Sequence, residues 1–88
     1  MHDTILFSKI SESLKESCKK ENISKISEVI VAVNDRSHVN SNNLSEYLKN
    51  YNEDLVDDNI KVTVKIEDLP EQIAIIRRIE GEASEGQS

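Results

Sequence analysis

Leu6, Phe7, Ile10, Leu14 and Cys18 recur at spacings of three and four, while Lys9, Glu12, Lys15, Glu16, Lys19 and Lys20 occupy the remaining positions. That rhythm predicts an amphipathic helix from Asp3 to about residue 22. Asp3 is placed to cap the free amides of its first turn, and the late lysines suit the negative end of the helix dipole. From Ile26 to Val33 the period shortens to two, with Val29, Val31 and Val33 on one face and Ile30 and Ala32 on the other. Apolar, mostly β-branched residues on both faces predict a central strand covered on at least one side. The strand runs into "NDRSHVNSNN", whose Asn, Asp and Ser side chains favour turns. Leu44, Tyr47, Leu48 and Tyr51 then predict a second helix over about 41–52, capped by Ser41 or Asn42. In "IKVTVKIE", Ile60, Val62, Val64 and Ile66 point one way and Lys61, Thr63 and Lys65 the other, which predicts a strand with one wet face. After a break at "DLPEQ", the stretch from Ile73 to Glu80 predicts a third strand, placed here as the hairpin partner of the second.

The order helix, strand, helix, strand, strand predicts an α+β fold: a three-stranded mixed sheet with both helices packed on one face. Residues 1–80 form the expected domain, and "GEASEGQS" at 81–88 reads as a disordered polar tail. An open sheet of this kind leaves an edge exposed, and exposed edges invite pairing with a partner or with a second copy to give a homodimer.

Composition narrows the function classes. Seventeen Asp and Glu against eleven Lys and Arg give a formal net charge of −6. The short basic pairs Lys19-Lys20 and Arg77-Arg78 lie beside acids, so a phosphate backbone meets no basic face and nucleic acid is not an expected partner. The longest apolar run, Val29 to Val33, is far short of a membrane span, and the early charges do not make a secretory leader. Cys18 is the single cysteine, which excludes an intrachain disulfide and a four-cysteine zinc site. A reducing cytoplasm is the expected location.

The usual catalytic constellations are missing, and the expectation is a protein that is not an enzyme. The two glycines, Gly81 and Gly86, make no phosphate-binding loop. Cys18 sits on the apolar stripe and reads as a small packed hydrophobe. His38 reads as a solvated loop residue. The acidic runs Glu53-Asp54 and Asp57-Asp58 lack the oxygen spacing of a calcium loop.

The start of the chain, Met1-His2-Asp3, carries more chemistry. A free α-amine one residue before a histidine chelates a metal through the amine, the intervening amide nitrogen and the imidazole, and the next amide or an oxygen ligand completes four in-plane donors. Nitrogen donors in a square plane suit Ni(II) or Cu(II) better than Mg, Ca or Mn.

Taken in order, "MHD" before an amphipathic helix, "ISEVIVAVNDRSHV", "NNLSEYL" and "IKVTVKIEDLP" resemble the HypA family of nickel-incorporation proteins. That family helps mature [NiFe]-hydrogenases and, in some bacteria, urease. The family begins Met-His-Glu, ends its first strand in a Gly-Glu-x-Ser type turn, and follows a short helix with a strand closing near a proline. The counterparts here are Met1-His2-Asp3, Asn34-Asp35-Arg36-Ser37, Leu44 to Tyr51, and Val62 to Pro70. "IAIIRRIE" is similar to the family's last strand.

The resemblance implies a metallochaperone rather than an enzyme, with 1–80 as its nickel-binding domain. Met1 gives its amine, His2 its backbone nitrogen and imidazole, and Asp3 its backbone nitrogen. Implied partners are a HypB-like GTPase and the immature hydrogenase large subunit.

This chain also departs from the family. HypA proteins insert a zinc domain with two Cys-x-x-Cys pairs between their last two strands, where this chain has only "EDLPEQ". No structural zinc is expected. Asp3 stands where the family has Glu, Asn34 where it has a turn glycine, and Asn40 offers a neutral amide where some relatives would use a loop oxygen. The competing reading is a degenerate HypA-like protein-interaction module that no longer delivers metal.

Overall fold

The computed structural model describes residues 4–83. Helix α1 spans Thr4–Glu21, strand β1 Ile23–Val33, helix α2 Ser41–Tyr51, strand β2 Val56–Ile66 and strand β3 Ala74–Ala83. The fold is α+β, a three-stranded mixed sheet with both helices on one face. Among the described residues no helix is long and apolar enough to cross a membrane.

The stripe on α1 does what its spacing predicts. Leu6, Ile10, Leu14 and Cys18 are all buried, and they join Ile26, Val29, Val31 and Val33 of β1, Leu44 and Leu48 of α2, and Val56 and Ile60 of β2 in one aliphatic core. The helix ends where Asn22 takes a positive φ of 56°, a left-handed conformation that Asn tolerates better than most residues, and the chain enters β1 at once. Ser11 Oγ donates to Asn52 Oδ1 at 2.9 Å, a buried bond tying α1 to the residue that closes α2.

β1 is the central strand, and the sheet order is β2-β1-β3. It runs parallel to β2, as the connection through α2 requires, with Val29, Val31 and Val33 matched to Val62, Val64 and Ile66. It runs antiparallel to β3, where the same valines meet Ile79, Ile76 and Ala74. These triplets make the helix-covered face. On the open face Glu28, Ile30 and Ala32 alternate between Lys61, Thr63 and Lys65 on one side and Glu80, Arg78 and Ile75 on the other.

β3 is therefore not the hairpin partner of β2. β1, apolar on both faces, gains most from being flanked on both sides, so residues 67–73 carry the chain across its end and β3 pairs with β1 instead.

β1 shifts register three times against β3 and once against β2, and two of the shifts against β3 set the details. Against β3, Ser27 has no match between Ile26↔Gly81 and Glu28↔Glu80, a bulge that lets Ile26 and Val29, three apart, both face the helices. A second bulge leaves Arg77 unmatched between Ile30↔Arg78 and Val31↔Ile76.

β3 also continues beyond the predicted boundary at residue 80. Gly81, Glu82 and Ala83 pair with Ile26, Lys25 and Ile23, so the first three residues assigned to the polar tail are strand. Residues 84–88 lie outside the described residues. A Cβ on Gly81 would stand 1.9 Å from the Lys25 carbonyl oxygen, so close strand approach, rather than turn geometry, requires the glycine.

α2 opens one residue earlier than its predicted caps. Asn40, in place of Ser41 or Asn42, is the N-cap: its Oδ1 accepts from the Asn43 amide at 2.8 Å, and its own amide donates to Asn43 Oδ1 at 2.8 Å. Tyr51, predicted on the apolar stripe, is 72% exposed. Its ring still lies 4.6 Å from that of Tyr47, which stacks on Phe7 at 4.9 Å, so all three aromatic residues of the chain form one ladder between α2 and α1.

Candidate metal centre

The predicted ligand set, Met1, His2 and Asp3, lies outside the described residues. The first turn of α1 borders a polar groove of about 230 Å³, lined by Ile5 and Leu6, by Asn34, Arg36, Ser37 and His38 after β1, and by Glu71 and Gln72 before β3.

Asn34 organises this end. It is buried, its Oδ1 accepts from the Arg36 amide at 2.9 Å, its carbonyl accepts from the Ser37 amide at 3.2 Å, and its Nδ2 donates to the Leu69 carbonyl at 3.2 Å. One amide side chain thus closes the β1–α2 turn and fastens it to the β2–β3 connection. Asn34 does not adopt the positive φ that a turn glycine would allow: among described non-glycine residues positive φ occurs at Asn22 and Gln72. Its hydrogen-bonding side chain, not left-handed backbone, is what the turn uses. Gln72 adopts a φ of 62°, and its carbonyl accepts from Lys9 Nζ at 2.9 Å, which joins the same connection to α1. Arg36 and Glu71 face each other across the groove at 3.6 Å, both well exposed.

Asn40, the loop position weighed as an oxygen donor, is engaged in capping α2. His38 is exposed, and its carbonyl accepts from Asn43 Nδ2 at 2.8 Å. Cys18 is buried at 5% exposure, and burial pushes its thiol above the ordinary value, which favours the protonated, inert form. Of the acidic runs, Glu53-Asp54 lie in the turn before β2, whereas Asp57-Asp58 stand within β2, where Asp57 Oδ1 accepts from the Asn59 amide at 2.9 Å. Among the described residues no three His, Cys, Asp or Glu side chains converge in a way that could hold a metal ion.

Two further arginine–glutamate pairs lie on the open face. Arg77 donates to Glu67 through Nη2 at 2.5 Å and Nε at 3.3 Å. Arg77 belongs to β3 and Glu67 follows β2, so this forked bond crosses over β1, whose Ala32 is fully buried although it faces away from the helices. The bond from Arg77 holds the Glu67 carboxyl below the usual carboxylate range. Arg78 pairs with Glu80 two residues along the same strand, and that bond raises its guanidinium further. Sequence reading took these arginines as a short basic cluster among acids. The bridging role of Arg77 arises from the bulge, which periodicity does not reveal.

No protein-family model, no curated protein and no solved structure matches this chain.

Proposed function

We propose that the chain is a nickel-binding metallochaperone module resembling HypA without its zinc domain, carrying Ni(II) as cargo in the cytoplasm rather than catalysing a reaction. The observation that carries this reading is Met1-His2-Asp3 standing directly ahead of α1, in a chain whose later motifs follow the family's order. The donors are the Met1 amine, the His2 amide and imidazole, and the Asp3 amide. Their clients would be the [NiFe]-hydrogenase large subunit, or urease, reached through a HypB-like GTPase. The first turn of α1, which follows the ligand segment in sequence, borders a polar groove fastened to three elements through Asn34 and Lys9, and this supports the reading.

One sequence observation favours the second reading, a HypA-like interaction module that no longer delivers metal: residues 67–73 alone join β2 to β3, where the family inserts its zinc domain.

Titration of nickel into the native protein and into a form with one residue added before Met1 separates the two. The α-amine titrates near about pH 8 and the imidazole near about 6.5, and both must lose protons to bind, so affinity should rise from pH 6 to pH 8 and collapse in the extended form. Equal binding by both forms, or affinity constant across that range, contradicts the terminal site.

A further inference from the structure

Along its outer edge β3 has no strand partner among the described residues. The Ser27 hydroxyl of β1 donates to the Glu80 carbonyl at 3.3 Å, so that carbonyl turns inward. Because alternate residues of a strand turn their backbone groups to opposite sides, the N–H and C=O of Ile79 and Gly81 turn to the free edge. Arg78 and Glu80 flank Ile79 and project from the open face, opposite Ile30 and Glu28, whereas Ile79 lies on the helix-covered face opposite Val29. Beside Ile79 the edge borders a groove of about 400 Å³ between α1 and β3, where Ile76 and Ile79 are only half-buried.

The short sequence Arg78-Ile79-Glu80 is complementary to itself when run backwards. We propose that this edge is the docking surface for a second copy of the chain, paired antiparallel with Ile79 on the two-fold axis. In that register the outward N–H and C=O of Ile79 bond reciprocally to those of Ile79 in the second copy. Arg78 of each copy faces Glu80 of the other, giving two ion pairs on the open face. The two Ile79 side chains meet on the helix-covered face. The axis stands perpendicular to the sheet, so one six-stranded sheet carries four helices on one side. Moving the axis by one residue to Glu80 brings the two Glu80 carboxylates directly opposite each other, and like charges at that position oppose pairing. Charge therefore selects the register as well as the partner.

The bulge at Arg77 bends the strand, which limits the regular edge to a short segment and makes the association weak and reversible.

Sedimentation equilibrium across a concentration series tests the proposal, with far-ultraviolet circular dichroism confirming that each variant is folded. Native protein should dimerise reversibly. Arg78→Glu and Glu80→Arg should each associate about tenfold more weakly or worse, because each turns both cross-strand pairs into like-charge contacts. An equimolar mixture of the two variants should recover the dimer, since each then meets its opposite. Hydrogen exchange at the Ile79 amide should slow as concentration rises. Native protein that stays monomeric throughout, single variants that associate like the native chain, or a mixture that does not recover would overturn the proposal.

Discussion

The two faces of the sheet are built from the same strands and differ only in which alternate residues they present. On the helix-covered face Val29, Val31 and Val33 are completely buried against α1 and α2. On the open face Glu28, Ile30 and Ala32 lie among lysines, arginines and glutamates whose pairs are largely exposed. The covered face carries stability through dispersion and apolar burial, which need only shape. The open face carries charge patterning, which is worth little to folding at an exposed site but selects partners and register.

The largest effect should follow from emptying the covered face. Leu14, fully buried at the centre of the α1 stripe, should cost about 2–5 kcal/mol on replacement by alanine, whereas Lys65→Ala on the open face should stay within about 0.5 kcal/mol. Denaturant titration of both variants checks this, and equal costs would erase the distinction between the faces.

Next comes the strand that closes the sheet. Gly81→Ala sets a methyl group against the Lys25 carbonyl, which must move, so the end of β3 should separate from β1 at a cost of about 1–3 kcal/mol. Loss of amide protection at residues 81–83 should accompany it, with protection at Val31 retained.

The smallest effect belongs to the bond across the open face. Glu67 titrates lower in the folded protein than in the unfolded chain because Arg77 bonds its charged form. The stabilisation is therefore complete above the ordinary glutamate value, about pH 4.3, and is lost as pH falls through the folded value. Native protein and Arg77→Ala should show a small difference in melting temperature at pH 7 that disappears on acidification. A difference that persisted at low pH would point to packing over Ala32 rather than charge.

Periodicity made the covered face legible because burial repeats with the geometry of the element: the α1 stripe, the valines of β1 and the alternation of β2 as far as Val64 stand where their spacing put them, while Ile66 at the end of β2 is exposed. Strand neighbours are a different matter. Alternation says which face a residue takes but not which strand lies beside it, so β3 was assigned to β2 while its isoleucines matched the valines of β1. The bulges at Ser27 and Arg77 are single-residue events between separate strands and leave no periodic trace. Gly81-Glu82-Ala83 read as a polar tail because a glycine required by close approach resembles one in an unstructured segment. Asn34 and Asn40 read as turn formers, but that Asn34 Nδ2 reaches the Leu69 carbonyl, 35 residues away, depends on the tertiary arrangement. The candidate metal site was legible only as chelation chemistry, and Met1, His2 and Asp3 lie outside the described residues.

The chain contains two histidines, one in the proposed ligand set and one lining the groove beside the first turn of α1. Isothermal titration of nickel into the native protein, His2→Ala and His38→Ala at fixed pH therefore tests the central claim most directly. The account predicts that His2→Ala loses nickel binding while His38→Ala keeps an affinity close to the native one. Undiminished binding by His2→Ala, whatever His38→Ala does, would contradict it.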